Sequence, residues 1–161
     1  MSPMHESPRI IPGQRIDPFE VGGPGEAQIA LLDEEHSVEV RGTMRVVKSR
    51  DVSLFIEDDI LTQVGIHGGH AGRTSDGLRL GMTLDEVEGE LLLDPVNEVL
   101  LLPGVAGLCF STDDDEALAR VADAAREEGT APVLAREQRI MWIGVHLPEI
   151  DSPEAVAVQL R

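Results

Sequence analysis

From Ser37 onward, apolar and polar side chains alternate with a period of two: Val38, Val40, Met44 and Val46 against Glu39, Arg41 and Arg45. That period sends neighbouring residues to opposite faces of a strand, so residues 37–48 read as a strand, or a strand pair broken near Gly42. Residues 52–56 and 60–66 flank Glu57-Asp58-Asp59 and predict a hairpin with an acidic turn. Thr83, followed three residues later by Glu86, is a capping box, and Leu84, Val87 and Leu91 then share one helical face. This predicts a short amphipathic helix over 84–93. Residues 97–102 and 106–110 read as two strands separated by Pro103-Gly104. Residues 113–128 are Ala-rich, open with four acidic side chains that suit a helix N-terminus, and stop at Gly129. A final strand over 139–146 is centred on Met141-Trp142-Ile143, and residues 154–160 predict a short terminal helix. Upstream, residues 1–8 read as a disordered tail, and residues 26–34 as a short helix after a loop-rich stretch punctuated by Pro12-Gly13, Pro18 and Gly22-Gly23-Pro24-Gly25.

The two halves of the chain share an ordered, weak similarity. Phe19-Glu20-Val21-Gly22 matches Leu78-Arg79-Leu80-Gly81. Ser53-Leu54-Phe55-Ile56, ahead of Asp58-Asp59, matches Gly107-Leu108-Cys109-Phe110, ahead of Asp113-Asp114. Thr62-Gln63-Val64-Gly65-Ile66-His67 matches Met141-Trp142-Ile143-Gly144-Val145-His146. The reading is one domain over 9–161 made of two repeats, about 9–67 and 71–146, the second carrying a helical insertion over 113–138. An insertion that interrupts a turn is expected to be dispensable for folding. The expected class is α+β: a duplicated helix-plus-antiparallel-strands unit forming one curved sheet with helices on one face.

Leu80-Gly81-Met82-Thr83 with Asp85-Glu86-Val87, placed before a short helix and a strand meander, resembles the superfamily of β-lactamase inhibitory protein and the small outer-membrane assembly lipoprotein. The resemblance spans most of residues 9–146, with its specific motif confined to 80–87. It implies two helix-then-strands units in one curved sheet and a role in protein binding through the sheet's open face, without catalysis. The chain departs from the pattern: it lacks the inhibitor's paired cysteines, the lipoprotein's lipobox and most of the aromatic contact residues. A β-lactamase partner is therefore not carried over.

Charge narrows the partners. Thirty acidic against 13 basic residues leave a formal charge of -17 over 161 residues, a field that repels nucleic acid and anionic lipid surfaces. Apolar residues make up 42% of the chain, enough for a core. The aromatics are only Phe19, Phe55, Phe110 and Trp142, so that core is aliphatic. Cys109 stands alone, which excludes an internal disulfide and a multi-cysteine zinc site, and its apolar neighbours read as burial. No apolar run reaches the ~18 residues a membrane span needs, and the N-terminus has no signal-peptide pattern, so a cytoplasmic protein is expected.

Candidate chemistry is sparse. His67-Gly68-Gly69-His70, with His146 ending the equivalent strand of the other repeat, is a weak metal constellation; a flexible exposed loop is the alternative. Asp58-Asp59 and Asp113-Asp114-Asp115-Glu116 lack the ligand spacing of a calcium loop and read as a solvated turn and a dipole-favourable helix start. No nucleophile elbow or phosphate loop is present, so neither a catalytic residue nor a cofactor is expected. Trp142 either anchors a partner from the open face or fills the core. The expected function is an acidic, non-catalytic binding module, most concretely an immunity or inhibitor protein facing a basic partner such as a toxin. Its partner-binding candidates are Trp142, Asp58, Asp59, Asp113, Asp114, Asp115 and Glu116. The alternative is a small ligand-binding protein or enzyme using the concave sheet face.

Overall fold

The computed structural model describes residues 7–32, 35–150 and 154–161; most of the expected N-terminal tail lies outside them. The proline- and glycine-punctuated start folds into three two-residue strands, β1 (Ile10–Ile11), β2 (Arg15–Ile16) and β3 (Phe19–Glu20), which pair in that order as a small antiparallel sheet. A five-residue helix, α1 (Gly25–Ile29), follows. The alternating stretch becomes the hairpin β4 (Ser37–Arg41) and β5 (Met44–Lys48), and the next two apolar runs become β6 (Val52–Glu57) and β7 (Ile60–Ile66). Asp58 and Asp59 close that second hairpin, both at positive φ (51° and 63°), as a two-residue type I′ turn requires.

Downstream come β8 (Leu91–Asp94), β9 (Val99–Leu101), β10 (Leu108–Thr112), α2 (Asp115–Glu128), β11 (Val133–Leu134), β12 (Ile140–His146) and β13 (Val156–Leu160). Ten strands form one sheet in the order β11-β13-β8-β9-β10-β12-β7-β6-β5-β4. All its pairs are antiparallel except β11 with β13. Both hairpins of the proposed repeat lie in this sheet. Their second strands, β7 and β12, are neighbours, with Gly65 directly opposite Gly144.

The α+β expectation is overturned: thirteen strands and two α-helices among the described residues make this a mostly-β protein. Two elements account for the error. Thr83 and Glu86 do form the capping box, with the Thr83 N–H holding the Glu86 carboxyl below its ordinary pKa. The helix it opens is nevertheless one 3-10 turn, Leu84–Glu86. Gly89 at φ 85° breaks the path, and Leu91 and Leu93 bury themselves as strand β8 between β9 and β13. The expected terminal helix is β13, whose β-branched Val156 and Val158 alternate with Ala157 and Gln159 and pair along β8. The helix-then-strands unit implied by the resemblance is absent on the same grounds.

One face of the sheet carries the main core cluster, while Val46, Leu101 and Cys109 are buried on the other. Leu54, Val64, Ile143, Val145, Phe110, Leu100 and Leu93 form one apolar cluster with Ile10, Ile16 and Phe19 of the small sheet and Leu84 of the 3-10 turn. Both helices pack on this face: a Cβ at Gly25 of α1 would press on Ile56, and Ala117, Leu118 and Ala122 of α2 belong to the cluster. The insertion is therefore built in. α2 packs on the core, and β11 pairs with β13 and buries Leu134, so a deletion of the insertion should lower the melting temperature.

Asp114 is the N-cap of α2 and accepts a 3.0 Å hydrogen bond from the Ala117 N–H. Asp114→Ala should cost about 1 kcal/mol, read as a lower urea midpoint at unchanged m-value. No helix among the described residues is long and apolar enough to cross a membrane.

Candidate functional site

The second face of the sheet is built from the alternate residues of the same strands. Reading across β6, β7, β12 and β10, the register sets Ser53 opposite Gly65, Gly65 opposite Gly144, and Gly144 opposite Cys109. Four small side chains in a row make a shallow trough. The row on one side is Phe55, Gln63 and His146, and on the other Ser111 stands opposite Trp142. The Trp142 indole leans into the trough and lies on both glycines. A Cβ at Gly65 would come within 2.6 Å of Trp142 Cε2 and Cζ2, and one at Gly144 within 2.8 Å of Cζ3. Any larger residue at either position collides with the ring. Trp142 is only partly buried and stands outside the core cluster, while its neighbour Ile143 is in that cluster. A register shift between Ser111 and Thr112 bulges β12 and leaves Met141 exposed.

Beside the indole, a cavity of about 200 Å³ is lined by Trp142, His146, Gln63, Cys109, Val99, Leu101, Asp94 and Asn97. Asp94 is buried and fixed. Its Oδ1 accepts from the Val96 and Asn97 N–H groups at 3.0 and 3.2 Å, and its Oδ2 accepts from Asn97 Nδ2 at 2.8 Å. At about 200 Å³ it is smaller than the ~300–1,000 Å³ usual for small-molecule pockets.

The acidic candidates do not join this site. The turn Asp58-Asp59 leads into the start of β7, whereas Asp113–Glu116 follow the end of β10. Antiparallel pairing of β7 and β12 places these at opposite ends of the sheet. Several of these carboxylates already serve the fold. Asp59 pairs with Arg45 at 3.3 Å, Asp113 accepts from the Arg139 N–H at 3.1 Å, Asp114 caps α2, and Asp115 and Glu116 occupy its first turn.

The histidine constellation is also separated. His146 stands opposite Gln63 of β7, four residues before His67, which follows that strand, a gap of about 13 Å at ~3.3 Å per residue. Among the described residues, no group of three or more His, Cys, Asp or Glu is placed to hold a metal ion. His67 Nε2 shares a 3.0 Å hydrogen bond with Ser53 Oγ, and His70 Nδ1 accepts from the Gly72 N–H at 3.0 Å. Burial holds both imidazoles below the ordinary value of 6.5, against the opposing pull of Asp51. The unfolded chain therefore takes up protons first as pH falls. The stability these groups contribute is complete above 6.5 and is lost as pH drops through their lowered folded values. Urea midpoints should decline from pH 7 toward pH 5, and His67→Asn with His70→Asn should flatten that decline.

No family model matches the chain, and no curated protein matches it. Among solved structures, the uncharacterized protein YfeY from Escherichia coli is similar at a TM-score of 0.53 and 11% identity. The match covers 84% of this chain and 98% of that one. At this identity the likeness is one of fold.

Sequence reasoning singled out Trp142 but missed its surroundings: Gly65 and Gly144 beneath it, and Asp94, Gln63 and Asn97 beside it. The signal available was the Gly shared by Val64-Gly65-Ile66 and Ile143-Gly144-Val145, two strand-interior glycines that mark a close approach.

Proposed function

We propose that the chain is a non-catalytic, cytoplasmic protein-binding module, most concretely an acidic immunity or inhibitor protein that neutralises a basic partner such as a toxin. The observation that carries this reading is the partly exposed Trp142 indole held flat over the Gly65–Gly144 pair, on the face to which neither helix is packed. A rigid aromatic side chain of this kind loses little entropy on binding and belongs to the residue type most enriched in hot spots. The neighbouring cavity is lined by Gln63, whose amide oxygen can accept, and by the buried, hydrogen-bonded carboxylate of Asp94, which adds negative charge beside it. An Arg or Lys from the partner entering it gains a cation–π contact with the indole and hydrogen bonds at its charged end. The charge of -17 adds long-range attraction toward such a partner. A sole cysteine, buried and unable to form an internal disulfide, suits a reducing compartment.

Electrostatic attraction of this kind acts on encounter. With a partner captured by the wild type, the association rate should fall on the order of tenfold between low and physiological ionic strength, with dissociation little changed. Stopped-flow measurement checks this, and an association rate indifferent to salt would contradict a basic partner.

A further inference from the structure

The edge of the large sheet at β4 has an electrostatic pattern unlike the rest of the chain. In a protein of charge -17, residues 37–50 carry four basic side chains, Arg41, Arg45, Lys48 and Arg50, against a single acidic one, Glu39. All five residues of β4 are exposed, and Val38 and Val40, at 53% and 69%, are among the most exposed large apolar side chains described. β4 pairs with β5 alone, so its outer edge is unpaired among the described strands.

The geometry points to a second copy of this chain as the occupant of that edge, paired antiparallel across a two-fold axis at Val40. The hairpin decides which backbone groups are free. Arg41 and Met44 flank the two-residue turn Gly42-Thr43, with Gly42 at φ 62°, so they form its hydrogen-bonded closing pair. Hydrogen bonding alternates along an antiparallel strand, which leaves the N–H and C=O groups of Val38 and Val40 pointing away from β5.

Charge then selects the register. An axis at Glu39 sets Glu39 against Glu39 of the second copy, an axis at Arg41 sets two arginines together, and an axis at Val38 sets Glu39 against Ser37 and forms no ion pair. An axis at Val40 sets Val40 against Val40, and Glu39 against Arg41 of the second copy, twice over. These two Glu–Arg pairs fall at the non-hydrogen-bonded positions, where side chains come closest. Within each copy Glu39 already lies 3.0 Å from Arg41 and 4.0 Å from Lys48, so its carboxylate meets a further cation rather than a bare surface. Pairing also removes an open edge that would otherwise template non-specific association. A five-residue strand buries little area, so the dimer is weak and concentration-dependent.

Analytical ultracentrifugation over a wide concentration range tests this directly. The wild type should pass from monomer to dimer. Glu39→Arg and Arg41→Glu, each alone, should weaken the dimer by on the order of tenfold, because each sets like charges opposite one another. Mixing the two variants should restore association, since arginines at 39 and 41 then face glutamates at 41 and 39. Native mass spectrometry identifies that species by its mixed mass, and circular dichroism confirms that both variants are folded. A wild type that stays monomeric throughout, leaving the edge to a strand of another protein, overturns the proposal. So does a dimer that both reversals leave intact, or a mixture of folded variants that fails to associate.

Discussion

Gly144→Val should lift the Trp142 indole off the sheet and abolish tight partner binding while leaving the chain folded. A Cβ at this position overlaps the six-membered ring of the indole, coming within 2.8 Å of Cζ3. The ring is the end of a side chain with two rotatable bonds, so it moves before the backbone does. Valine is itself a good strand residue, and the overpacking cost should stay near 1–3 kcal/mol. Trp142 is the only tryptophan, in a chain without tyrosine. Its emission therefore reports the movement without interference, as a red shift and readier quenching by iodide. Affinity for the partner should fall by roughly 30-fold or more, the equivalent of about 2 kcal/mol at a hot spot. Emission unchanged from the wild type would show that the indole does not rest where the glycines place it.

The largest loss of stability is expected at Phe110. It sits on β10 between Leu100 of β9 and Ile143 of β12, fully buried, at the middle of a core that is otherwise almost entirely aliphatic. Phe110→Ala removes the biggest side chain of that layer and leaves a cavity its strand-bound neighbours cannot close, for a loss of about 3–5 kcal/mol. Against a typical total of ~5–15 kcal/mol this is severe, and the melting temperature should drop by about 10 °C or more. Phe55→Ala, on the second face and only partly buried, should cost far less. Urea denaturation of the pair shows how much of the stability rests on the main cluster rather than on the second face.

Local chemistry carried much of the fold. The acidic turn between β6 and β7, the capping box at Thr83 and the α2 helix with its acidic start all follow from residues within a few positions of one another. The failures are places where a distant partner decides. Leu91-Leu92-Leu93 fits a helix face or a strand equally well, and β8 exists because β9 and β13 offer it hydrogen bonds from both sides. Val156–Leu160 is short enough to read either way until β8 pairs with it. At the site, the partly exposed Trp142 was one of two readings open in the sequence. Its trough was not legible, because it depends on a register that sets Gly65 against Gly144 across 79 residues of chain. The bulge that turns Met141 outward is a tertiary feature of the same kind. The acidic clusters were easy to see, but their placement was not: the fold sends them to opposite ends of the sheet, away from the Trp142 trough, and uses several of them for caps and ion pairs.

The central claim is that the second face, through Trp142, is where this protein meets its partner. The direct measurement is parallel capture from native lysate with the wild type and with Trp142→Ala, both first shown to melt within a few degrees of each other, followed by affinity measurement on whatever the wild type retains. The account predicts a basic protein held by the wild type and lost, or bound roughly 30-fold more weakly, by Trp142→Ala. A partner bound equally by both proteins would contradict it.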